Sequence, residues 1–484
     1  MNAGKLHLHK NNQFPFFIFT FSILVVLVLP ALLRDGMFMD GLIYATVSKN
    51  LAADDFKSLW QLRVSDAMKN PYYDQPPLTF WIKALFFKFL GNTLYTERIY
   101  SFTTLLINAW LMIKLWEMIY RNKPETARMS WLPVLLWVIM PVCFWSFSNN
   151  MQENTMSIFV LAAVYTGWKG YFQNRIGYIP VSGVFIFLAA MTKGIQGTFP
   201  LVWPLILEFT FRKHSWIKSA GFTATLFLVV ALLFVLLFTF EESRNYFKGY
   251  FQARLINTFT NAEFTNESRF HLVKKFFESV SIPLAVCILI RLSAKKMIHG
   301  QTGSKKIIAA FLLLALCGTL PLMITKEQRR FYLVTALPYF SVSMASWVEP
   351  RVLNITSALS SDTGYFQKTR AAAIICLTGA ILASALSIGR TSRDKNMIDD
   401  VHLIASAIKP ETKACIENNL LSNYSLLLYF SRYHGISLFD ASSCSHDYLV
   451  ASGHQFDYEN QNCRKMNIPL KSFSLYKCLN KRQQ

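Results

Sequence analysis

The chain has 484 residues, of which 53% are apolar, 41 are phenylalanine, and the formal net charge is +21. This composition excludes an ordinary water-soluble multidomain protein, because apolar windows of bilayer-crossing length recur along most of the chain. The basic surplus falls mainly in alternate loops between those windows, the distribution that marks cytoplasmic loops, so it calls for a lipid bilayer and excludes nucleic acid as a partner.

Taken in chain order, the first apolar run, 14–33, follows Lys5 and Lys10 and is followed by Arg34 and Asp35 rather than by a small-residue cleavage site, so it is expected to stay as an anchor. Residues 34–97 form the first large external segment. Asp40 there precedes "GLIYATVSKNLA", which predicts a helix of about three turns. Pro76-Pro77 then opens a second helix that closes at Gly91; proline suits a helix start and glycine its end. Phe80, Trp81, Leu85, Phe86, Phe87, Phe89 and Leu90 set against Lys83 and Lys88 predict a helix that lies in the membrane interface or serves as an ordinary membrane anchor.

Further apolar windows lie near 98–119, 131–148, 152–169, 177–192, 195–211, 218–240, 276–292, 306–324, 331–348 and 371–389. With the first they make eleven, and the Phe-rich stretch 78–90 is an additional candidate, so about 11–13 transmembrane helices are predicted. Basic loops at Arg121, Lys123 and Arg128, at Arg212, Lys213 and Lys218, and at Arg351, Lys368 and Arg370 set the orientation. The N-terminus is cytoplasmic, and an odd number of spans leaves the tail outside. The fold class expected is an all-α polytopic membrane domain, 1–389, with a small external α/β domain, 390–484.

The second large external segment is 241–275. The third is the tail, which alternates helix-like "MIDDVHLIASAI" and "SNYSLLLYFSRY" with strand-like "KACIEN", "ISLFD", "DYLVASG" and "SFSLYKCL". Cys143, Cys287, Cys317 and Cys376 lie in apolar windows, whereas Cys415, Cys444, Cys463 and Cys478 all lie in the tail. Four external thiols predict two disulfides in an oxidising compartment, with three pairings open.

The chemistry is expected on the external face. Asp40 has two readings, an N-cap for the helix that follows or a general base at the water interface. Asp35 reads as a partner of Arg34. Short external turns should lack Lys and Arg, yet Lys193, Lys326, Arg329 and Arg330 sit in them. Each alone is explained by lipid headgroups or snorkelling; together, on the side of Asp40, they describe an anion clamp. Arg244, Lys248 and Arg254, interleaved with Tyr246, Phe247, Tyr250 and Phe251, are candidates to complete it.

These residues carry a resemblance. Asp-x-x-x-Tyr (Asp40 to Tyr44), acidic-x-Pro-Pro-Leu-x-x-Trp (Asp74, Gln75, Pro76, Pro77, Leu78, Trp81), Glu-Arg-x-x-Ser (Glu97, Arg98, Ser101), Thr-Lys-Gly (Thr192 to Gly194) and Arg-Arg-Phe-Tyr-Leu-x-x-x-x-Pro (Arg329 to Pro338) follow one another in order over about residues 14–340. The chain resembles the GT-C superfamily of polytopic glycosyltransferases, in particular bacterial relatives of protein O-mannosyltransferases and the lipid A aminoarabinose transferase. The resemblance implies transfer of a sugar from a polyprenyl-phosphate donor to a lipid, glycan or protein acceptor on the periplasmic face of the bacterial inner membrane. Asp40 would be the general base, with inversion at the anomeric carbon. Lys193, Arg254, Arg329 and Arg330 would bind the donor phosphate, and Tyr44, Asp74, Gln75 and Tyr250 the substrates. Many relatives carry a second acid where this chain has Gly41, and Lys or His where it has Gln75. No metal and no cofactor are predicted.

A transporter or flippase for a lipid-linked or anionic substrate is the alternative. Such proteins place charge near the bilayer midplane on broken helices, whereas here the charges within spans, Glu153 and Glu208, lie close to span ends and the polar mass lies in the loops. Donor sugar and acceptor are not legible.

Overall fold

A computed structural model of the chain describes residues 13–68, 70–173, 175–256, 270–293, 304–324, 327–361, 363–442, 444, 446–452 and 463–478. The first helix, α1 (Phe14–Leu33), has no charged residue over 20 positions and at 1.5 Å per residue extends about 30 Å, the thickness of a hydrocarbon core. After it come α2 (Met39–Ala53) and α3 (Leu78–Leu90), then the long α4 (Thr96–Ile119). The α3 boundaries follow the sequence: Pro77 is its N-cap and Gly91, at φ +77°, its C-cap. Phe80, Lys83, Ala84 and Phe87 face inward while Leu85, Phe89 and Leu90 stay exposed.

Seven described helices are long and apolar enough to cross a bilayer, or eight if Pro124–Val138 and Pro141–Ser148, which meet at 80°, make one span. The eleven expected windows are nevertheless helical, and the difference has two causes. Helices Gln152–Phe172 and Leu337–Ser361 have spanning length but bury polar side chains against their neighbours, among them Glu153, Asn154, Thr155, Ser341, Ser346 and Glu349. Their mean hydropathy drops although their surroundings are packed protein. The stretch Tyr178–Phe211 is apolar over 34 residues but doubles back at Gly194, which has φ +72°. Beyond that reversal Gly197 lies so close to the first arm that a Cβ there would meet the Ala189 backbone at 2.5 Å. The ends agree: Lys193 reaches Glu153 at the start of Gln152–Phe172, while Glu208 accepts a hydrogen bond from Tyr171 at its end.

The tail forms a five-stranded sheet of order β2-β1-β3-β5-β4, from β1 (Lys413–Ile416), β2 (Ser437–Asp440), β3 (Tyr448–Ser452), β4 (Cys463–Lys465) and β5 (Phe473–Cys478). β1 runs parallel to β2 and β3, and β5 antiparallel to β3 and β4. Helix Lys395–Ala407 and the helical segment from Tyr424 to His434 complete the α/β unit. Four of the strands lie where the sequence predicts them, and β4 is additional. The disulfides are Cys415–Cys444 and Cys463–Cys478, which selects one of the three pairings.

The tail docks on the first loop through buried polar contacts. Arg432 donates to Asn92 Oδ1 at 2.6 Å, to the Thr93 carbonyl at 2.8 Å and to Glu97 at 2.5 Å, with its guanidinium 4.9 Å from the Phe87 ring centre. Asp35 departs from the expected pairing. Arg34 donates instead to Ser387, and Asp35 accepts from the Tyr433 hydroxyl at 2.5 Å and the Gly36 N–H at 2.6 Å, with Arg98 at 3.7 Å and His402 at 3.6 Å. The Arg34 guanidinium turns to Ser387 while the tail takes up the Asp35 carboxylate.

Candidate functional site

The site starts from the N-terminus of α2. Its N-cap is Phe38, whose N–H donates to Asn149 Oδ1 at 2.9 Å, and no side chain caps the helix. Asp40 stands inside the first turn, so the capping reading does not describe it, and its carboxylate lines a cavity of about 1070 Å³. The backbone around it is tightly set. Asn150 Nδ2 donates to the Gly41 carbonyl at 2.9 Å, and a Cβ on residue 41 would meet the Asn149 carbonyl oxygen at 2.1 Å. No second carboxylate fits after Asp40.

Lys193, Arg254, Arg329, Arg330, Tyr44, Asp74 and Gln75 line the same cavity. They arrive from five separate stretches of chain. Lys193 ends helix Tyr178–Lys193, and its ammonium is 2.6 Å from Glu153 Oε1, both side chains being buried. It also lies 5.2 Å from the Tyr332 ring centre. Arg254, on a wide helical turn that extends Glu241–Tyr250, is 2.7 Å from Glu327 Oε2 and donates to the Tyr332 hydroxyl at 3.3 Å. Arg329 Nε is 3.5 Å from Glu327 Oε1, and the Arg330 guanidinium lies over Trp145 at 4.7 Å. The loop with Asp74 and Gln75 is fixed from below, where the Tyr246 hydroxyl is 2.7 Å from the Gln75 carbonyl and 3.0 Å from that of Tyr72.

Tyr250 is not among the lining residues. It packs on the reversal instead, its hydroxyl 2.2 Å from where a Gly194 Cβ would stand, so it holds the Lys193 turn in place. Arg244 and Lys248 are exposed on the far side of their helix and do not join the cavity. Lys326 lies outside the described residues.

Several lining residues were not singled out from sequence. Glu327 bridges two arginines and joins Asp40 and Asp74 as a third carboxylate of the site; its position between the basic residues of "TKEQRRFY" was the available signal. Trp145, Phe331 and Tyr332 form an aromatic wall, with Trp145 and Phe331 stacked at 5.9 Å. Tyr424, contributed by the tail and half exposed, closes the rim, and nothing local in the sequence marks it.

The electrostatics separate Asp40 from its neighbours. Burial pushes its carboxyl above the ordinary carboxylate value; Lys193, Arg329 and Arg254 oppose that shift and Glu327 adds to it. The arrangement is a carboxylate of raised basicity facing a cluster of cations, each already held in a defined pose, and it suits removing a proton on one side while binding an anion on the other. Among the described residues no group of three or more His, Cys, Asp or Glu is placed to hold a metal ion.

Comparisons with known proteins bear on the fold that carries this site. Residues 74–238 match the family model described as dolichyl-phosphate-mannose-protein mannosyltransferase. The crystal structure of ArnT from Cupriavidus metallidurans bound to undecaprenyl phosphate superimposes with a TM-score of 0.62 at 12% identity, covering 95% of this chain and 97% of that one. The same protein in the apo state gives 0.60 at 12% identity, covering 95% and 96%. A comparison with curated proteins returns no match. The chain shares the fold of ArnT over nearly its whole length, and its segment 74–238 resembles the mannosyltransferase family.

Proposed function

We propose that the protein is a membrane glycosyltransferase that moves a sugar from a polyprenyl-phosphate donor to an envelope acceptor at the periplasmic face of a bacterial inner membrane. The observation that carries this reading is the convergence of Asp40, Lys193, Arg254, Arg329 and Arg330 on one cavity. The bound undecaprenyl phosphate of the similar ArnT supports a polyprenyl-phosphate donor.

In this mechanism Asp40 removes the proton from an acceptor hydroxyl or amine, and the freed lone pair attacks the anomeric carbon. The bond from that carbon to the phosphate oxygen breaks, the configuration inverts, and the polyprenyl phosphate leaves with its electron pair. Lys193 and the arginines stabilise the charge that grows on the leaving phosphate, which is where preorganised cations contribute most. A carboxyl raised by burial is a stronger base than an exposed one and works nearer neutral pH. Tyr44, Asp74 and Gln75 bind the sugar from the cavity wall, and Tyr250 acts indirectly through Gly194. In this reading the N-terminus lies in the cytoplasm and residues 390–484 in the periplasm, which the charge of the loops supports.

The test is incubation of the purified protein with radiolabelled undecaprenyl-phosphate aminoarabinose, mannose and galacturonate and with envelope fractions as acceptor. Label transferred from one donor to an acceptor is expected. No transfer from any of them, combined with substrate movement into proteoliposomes, would replace this reading with that of a transporter.

A further inference from the structure

A second cavity, of about 680 Å³, lies at the other end of α2, between the C-terminal ends of α2 and α3 and the tail. Its walls carry both signs of charge: Lys49, Arg63 and Lys88 against Asp66 and Glu411, with Asn92 at its base. Asn92 lies just before α4, one of the helices apolar enough to cross the bilayer, so the cavity borders the end of a candidate span. Beside it, Leu85, Phe89 and Leu90 of α3 leave an apolar strip uncovered, with Phe89 82% exposed.

Lys49 gives the clearest indication of what fits. It is buried, and among the described residues its ammonium donates one hydrogen bond, to the Ser431 carbonyl at 2.6 Å, although an ammonium carries three donors. The surrounding ion pairs, Arg63 with Asp66, Lys88 with Asp55 and Asp66 with Lys413, are all solvent-exposed. Exposed pairs contribute little and open readily for a better partner. Neighbouring cations and anions on one polar wall disfavour a purely anionic ligand and suit one that carries both signs.

We propose that this cavity binds a zwitterionic phospholipid headgroup of the phosphoethanolamine type. Lys49, Arg63 and Lys88 take the phosphate, Asp66 and Glu411 take the ammonium, and the acyl chains run along the exposed strip of α3. Burial beside Arg432 lowers the Lys49 ammonium to about 8, which an incoming phosphate would reverse. An ethanolamine ammonium donates three hydrogen bonds to carboxylates, whereas a choline group donates none, so the site distinguishes the two. The proposal stands on this cavity alone and does not depend on glycosyl transfer.

Native mass spectrometry of the full chain tests it, with dioleoyl phosphatidylethanolamine, phosphatidylcholine and phosphatidylglycerol offered at equal concentration. Phosphatidylethanolamine should be retained about fivefold over the other two, and the surface double variant Asp66→Asn/Glu411→Gln should remove that preference. Lys49→Gln should lower retention of the favoured lipid as well. Displacement of the bound lipid by excess soluble glycerophosphoethanolamine is expected, because the headgroup carries the recognition. Equal retention of the three lipids by the wild-type chain, or a preference unchanged in the double variant, would overturn the proposal.

Discussion

Asp35 and Asp40 stand five residues apart on the same loop and have opposite surroundings. Asp35 sits in the seam between the first loop and the tail, where, against the effect of burial, the His402 and Tyr433 contacts, the Gly36 N–H and Arg98 hold its carboxyl below the ordinary value. Asp40 sits at the cavity, where the nearby cations are already engaged: Lys193 by Glu153, and Arg254 and Arg329 by Glu327. Its carboxyl is displaced upward. Satisfying a buried carboxylate makes it a structural joint, while surrounding it with charges committed elsewhere leaves it basic. The two regions use the same residue types, and the difference between docking and chemistry lies in who holds each charge.

The largest effect should come from removing Asp40. Asp40→Asn keeps shape and polarity but no basicity, so transfer should fall by about 10²–10⁴-fold with the melting temperature unchanged, read in the donor panel assay. Arg254→Ala should cost about 10²–10³-fold in turnover, measured under saturating donor. On the seam side the loss should appear in stability instead. Arg432→Met strands the Glu97 carboxylate in a buried site and should cost about 3–5 kcal/mol, visible as separation of the tail by limited proteolysis. Equal effects of Arg254→Ala and Arg432→Met on both activity and stability would erase the distinction drawn between the two regions.

Smaller effects sharpen it. Glu327→Gln removes a negative neighbour that raises the Asp40 carboxyl, so the acidic limb of the rate profile should move to lower pH. Lys193, Arg254 and Arg329 on the same walls stay charged, so an unmoved limb would mean that Asp40 is not the group titrating. In the seam, His434 is lowered to about 4 by burial, with His402 and Lys49 adding to it. Because the unfolded imidazole takes up its proton near 6.5, the unfolded chain binds more protons between about 6.5 and 4. Stability should therefore decline as pH falls through that window, and Asp35, lowered in the fold, adds a loss of the same sign at still lower pH. Thermal melts between pH 7 and pH 4 check it.

Much of this was legible in the sequence. Apolar windows, loop charge and proline or glycine boundaries locate the helices, because membrane insertion reads one-dimensional properties. The tail strands are legible from alternation, but their order is not. For the site, Lys193, Arg329 and Arg330 could be nominated because they break the charge rule of short external turns, Arg254 by its aromatic neighbours, and Asp40 by its spacing to Tyr44. Glu327 could not be separated from the charges beside it, since its role depends on Arg254 arriving from another loop. Gly41 looked like a missing acid; the Asn149 carbonyl pressed against it shows a close approach that only the folded chain displays. Glu153 read as a stray charge near a span end and is the buried partner of Lys193.

The most direct test of the account is to measure undecaprenyl phosphate binding and sugar transfer in parallel on Asp40→Asn. Binding should remain within about twofold of wild type, because in the proposed mechanism the phosphate is held by Lys193 and the arginines, while transfer is lost. Transfer at the wild-type rate, or loss of binding together with transfer, would contradict the assignment of Asp40 as the base of this site.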